Sequence, residues 1–140
     1  YLMCHGKFVI GSESGITCLS SILDVPLGSV NNCAFEPGYG RKNTIFIPKL
    51  VKSTTTGQTL SISQYERLPS GAENGILHRG LFEANNLCYS DNSEEDILQV
   101  TEAMYRQFVE SSEGFESSQA GTELIWPDFL RKYPELGRLA

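Results

Sequence analysis

The chain has 140 residues, 40% of them hydrophobic and 20% charged, and a formal net charge of −6. That length accommodates one domain with a real core and is short for two. The carboxylates concentrate in the second half and no Lys/Arg cluster is interleaved with aromatics, which argues against a nucleic-acid-binding surface built on phosphate contacts. No apolar run approaches the length a bilayer requires.

The opening Tyr1-Leu2-Met3-Cys4-His5 carries neither an initiator methionine nor a leader pattern, so the chain is expected to be a piece of a longer polypeptide. It reads as the end of a helix or loop feeding the first strand. Phe8-Val9-Ile10, stopped by Gly11, is a short buried strand, and the polar turn Ser12-Glu13-Ser14-Gly15 follows at once. Ile16, Leu19, Ile22 and Leu23 then recur at three- and four-residue spacing, one face of a helix that Asp24-Val25-Pro26 closes. Leu27-Gly28-Ser29-Val30 is a second strand ending at Asn31-Asn32, so the stretch from Lys7 to Asn31 predicts a strand, helix, strand unit of the parallel-sheet kind. In such a unit the turn after the first strand lies at the carboxyl edge of the sheet, where the helix-start N–H groups suit an anion.

Farther on, Pro37-Gly38 and Tyr39-Gly40 mark an exposed loop, and Thr44 to Val51 is a packed segment in which Pro48 ends a strand or runs along an edge. Ser61 to Leu68 predicts a short helix, Ile76 to Ala84 another, and Leu87-Cys88-Tyr89 a short strand. The clearest helix runs from Ser93 to about Ser111, with acids in its first turn and an apolar stripe of Ile97, Val100, Met104 and Phe108. Ser111 to Thr122 is a connection, and Glu123 to Tyr133 keeps Leu124, Ile125, Phe129 and Leu130 for packing, with Trp126 and Phe129 as anchors. No repeat is apparent. The alternation favours an open, Rossmann-like α/β parallel sheet of three or four strands with flanking helices, over residues 1–111, followed by a linker and helical segment over 112–140.

Chemistry is sparse. The cysteines Cys4, Cys18, Cys33 and Cys88 form no Cys-x-x-Cys pair and have only His5 and His78 as nitrogen partners, so no metal site is expected. Cys18 and Cys88 read as small apolar core residues in a reducing compartment, and Cys33 lies near the proposed crevice. The histidines stand alone, and a lone histidine is more often a surface or core group than a general base. The Ser12–Thr17 turn suits phosphate oxygens, yet it is neither a Walker loop nor a GxGxxG turn, and the same residues would serve as an ordinary helix cap.

The blocks Phe8 to Ile16, Val25-Pro26, Val30-Asn31 and Ile45-Phe46-Ile47-Pro48-Lys49-Leu50, then Ser61 to Tyr65, then Asp91 to Ile97 with Glu102-Ala103-Met104, stand in an order that resembles the C-terminal, donor-side domain of bacterial GT-B glycosyltransferases of surface carbohydrate synthesis. The resemblance implies transfer of a sugar from a nucleotide-diphosphate donor, without a cofactor or bound metal, to a carbohydrate or lipid-linked acceptor. Carried over by position, Ser12, Ser14, Gly15, Ile16 and Thr17 would meet the diphosphate, and Asn31, Asn32 and Glu83 the nucleoside or sugar. Arg41 and Lys49 are candidate phosphate partners, with solvated loop cations as the other reading. No catalytic residue is assigned, because the base of such enzymes usually comes from the acceptor-side half. The resemblance further implies a cytoplasmic protein at the inner face of the membrane, held there through that other half, and no nucleic-acid partner. Two rivals stand beside it: a non-catalytic α/β interaction module whose Ser/Gly turn is only a cap, and a nucleotide-sugar epimerase of the same fold.

Overall fold

The first strand, β1 (Val9–Gly11), pairs in parallel with β2 (Leu27–Asn32), and helix α2 (Gly15–Ile22) makes the crossover between them. This is a computed structural model, and it describes residues 2–12, 14–33, 43–67, 79–110 and 129–134. A short helix α1 (Leu2–His5) precedes β1, and β3 (Thr44–Pro48) joins the far side of β2, also in parallel, to give a three-stranded sheet in the order β1-β2-β3. The fold is mixed α/β, with flanking helices on a small parallel sheet. α2 ends as the sequence suggests: Asp24 takes a left-handed φ of 53°, which a short polar side chain tolerates. The Val25 N–H then returns 2.7 Å to the Ser20 carbonyl.

The expected single sheet divides in two. Pro48 still pairs with Asn32, the Lys49 N–H makes a bond to β2 at the Asn32 carbonyl, and β4 (Leu50–Ser53) then leaves to pair antiparallel with β5 (Leu87–Ser90). Around this pair α3 (Ile62–Glu66) and α4 (Arg79–Ala84) enclose a small cluster of Val51, Tyr65, Phe82 and Leu87, and the Phe82 ring stacks on Tyr89 at 4.4 Å. Two phenols tie this cluster to the parallel sheet, because the Tyr65 and Tyr89 hydroxyls both donate to the Cys33 carbonyl just beyond β2. Cys88 corrects the sequence reading. It is exposed, on the outward alternation of β5, and Cys18 is only half-buried.

The main core lies where α5 (Glu94–Tyr105) crosses the parallel sheet. Val100 and Met104 from its apolar stripe meet Val30, Ile45 and Ile47 from the strands, with Ile97 and Phe108 packed against them. The last turns, Arg106–Glu110, are π-helical, so the predicted helix keeps its extent but not its winding. Phe129, on a helical turn at residues 129–132, is 1% exposed and belongs to this same core. The expected connection at 111–122 and the anchor Trp126 lie outside the described residues.

Gly28 sets how closely α5 approaches the sheet. A Cβ there would collide with Ile10 Cδ1 and lie 3.0 Å from Val100 and 3.2 Å from Met104. Gly28→Ala is therefore expected to lower stability by about 1–3 kcal/mol through overpacking, read from denaturant midpoints.

Candidate functional site

Three strands end together at the carboxyl edge of the parallel sheet, and two helices begin there. α2 starts just after β1. α5 starts next to the ends of β2 and β3, because Asn92, one residue before its cap, is bonded to both strands. The Asn31 N–H donates 2.6 Å to Asn92 Oδ1, and the Asn92 N–H donates 2.7 Å to Asn31 Oδ1. Asn92 Nδ2 donates 2.7 Å to the Pro48 carbonyl. Asn31 holds a left-handed φ of 56°, which turns its peptide toward Asn92.

The two helix starts differ in what fills them. At α5, Ser93 caps the helix and Asp96 completes a capping box, its buried carboxylate accepting from the Ser93 N–H and hydroxyl. Lys132 donates to Asp96 at 2.8 Å and Tyr133 at 2.9 Å, and Lys132 also reaches Glu95. Burial pushes the Asp96 carboxyl up, but the hydrogen bonds from Lys132, Ser93 and Tyr133 outweigh it and hold it below its ordinary 3.8. The bonds to Asp96 and Glu95 raise the Lys132 ammonium, while burial first and then Asp96 raise the Tyr133 phenol. This end is filled by the protein's own carboxylates and has no place for an anion.

At α2 no acidic side chain among the described residues occupies the first turn. Ser12, Ser14, Gly15 and Ile16 are exposed, and the space where a Gly15 Cβ would stand is open to 4 Å. Thr17 holds the turn from behind. It is 5% exposed, its hydroxyl lies 2.8 Å from the Ser14 carbonyl and 3.0 Å from the Ser12 carbonyl, and it accepts from the Ser14 N–H at 3.1 Å. Ser14 Oγ in turn stands 3.5 Å from the Thr17 N–H as a loose cap. The turn can therefore offer an anion peptide N–H groups, the Ser12 hydroxyl and close approach at Gly15, but not the Thr17 hydroxyl.

The other candidates separate. Asn31 and Asn32 sit at the same edge as α2's start, but Asn31 is committed to Asn92, and the buried Asn32 accepts from Ser29 Oγ at 2.8 Å. Lys49 shares that edge through its N–H, 2.7 Å from the Asn32 carbonyl, and its ammonium pairs with Asp91 at 2.7 Å. Glu83 is exposed on α4, which packs on β5 rather than on the parallel sheet. Arg41 and His78 lie outside the described residues. The residue that sequence reasoning missed is Asn92, whose partners are 61 and 44 positions away.

Among the described residues no group of three or more His, Cys, Asp or Glu side chains is gathered to hold a metal ion, and no helix is long and apolar enough to cross a membrane. Comparison with protein-family models, with curated proteins and with solved structures finds no match.

Two outcomes are expected of this edge. Asn92→Ala strips a partner from the Asn31 N–H and from the Pro48 carbonyl, and should cost about 2–4 kcal/mol in chemical unfolding. Asp96 has a lowered pKa, so its contribution to stability is full above pH 3.8 and is lost as the pH falls below that value. Asp96→Asn should therefore be less stable at neutral pH, and its stability should fall less steeply under acid, as urea midpoints across that range would show.

Proposed function

We propose that the start of α2 binds the diphosphate of a nucleotide-sugar donor, and that the chain is the donor-side half of a GT-B glycosyltransferase. One observation carries the reading: Ser12, Ser14, Gly15 and Ile16 are exposed just after a parallel strand at the carboxyl edge, with open space at Gly15. It also rests on the ordered sequence blocks. In this role the helix-start N–H groups and dipole would stabilise the negative charge that collects on the leaving diphosphate. The Asn31–Asn92 pairing would hold the floor of the crevice, and the residue that deprotonates the acceptor would come from outside this chain.

A second reading keeps a specific support. Ser14 and Thr17 bond to the turn's own backbone, as they would in a non-catalytic α/β module whose turn is only a cap.

Gly15→Asp separates the two. An acid in the first turn favours the helix dipole by about 0.3–1 kcal/mol and the added Cβ has room, so the fold should be at least as stable. A carboxylate there repels a pyrophosphate. UDP-, GDP- and ADP-sugars are titrated against the wild-type chain and Gly15→Asp while the melting midpoint is followed. At least one should raise the wild-type midpoint and leave that of Gly15→Asp in place. A wild-type midpoint that none of them moves would sink the donor reading and leave the module.

A further inference from the structure

We draw no further inference here: the strongest candidate, the side-chain cluster in which Lys132 and Tyr133 close on Asp96 and Glu95 at the start of α5, bonds its charged and phenolic groups to one another within the capping arrangement already described and so points to no ligand or partner.

Discussion

The carboxyl edge of the parallel sheet is held by one reciprocal pair of asparagines. Asn31 and Asn92 exchange backbone N–H and side-chain carbonyl bonds at 2.6 and 2.7 Å, and the remaining amide of Asn92 closes on the Pro48 carbonyl. Strand ends of a parallel sheet leave peptide groups without ladder partners, and burying them unpaired would cost about 1–3 kcal/mol each. Asn92 meets that need for two strands at once and fixes where α5 begins. From that start follow the capping box of Ser93 and Asp96, the seating of Val100 and Met104 on Gly28, and the docking of Lys132 and Tyr133.

The same edge explains why the two helix starts have different capacities. α5 is neutralised from within, by Asp96 and its ring of donors. At α2 the Ser14 and Thr17 hydroxyls are turned back on the turn, and Gly15 and Ile16 are exposed. The edge thus differs across the sheet: a self-satisfied start of α5 filled by Asp96 and its donors, and a start of α2 where the described residues Ser12, Ser14, Gly15 and Ile16 carry no charge.

What the sequence disclosed divides along the range of the interaction. Local signals were readable. Ser61 and Ser93 announced helix caps, Asp24 and Pro26 the end of α2, and Ile97, Val100 and Met104 a buried stripe, because each depends on neighbours within a turn or two. Parallel pairing of β1 with β2 was readable for the same reason, through the length of the crossover. Long-range terms were not. Nothing near Asn92 in the sequence marks Asn31 or Pro48 as its partners. Gly28 looks like any strand glycine until Val100 and Met104 lie over it, and the inward side of α2 is set by Gly11, which hydropathy does not register. The split of β4 from the parallel sheet falls just after Pro48, inside what reads in the sequence as one packed segment from Thr44 to Val51.

The position of Phe129 carries a consequence for how the chain comes to be folded. The main core draws on β2, β3 and α5 and is closed by a ring contributed from residues 129–132, with Lys132 and Tyr133 seated on the start of α5. During synthesis, a nascent chain that has only just completed α5 leaves Val100 and Met104 without their last neighbour. The core is therefore complete only in a chain that extends through Tyr133, and one cut before Phe129 would lack both the ring that closes this cluster and the donors seated on Asp96.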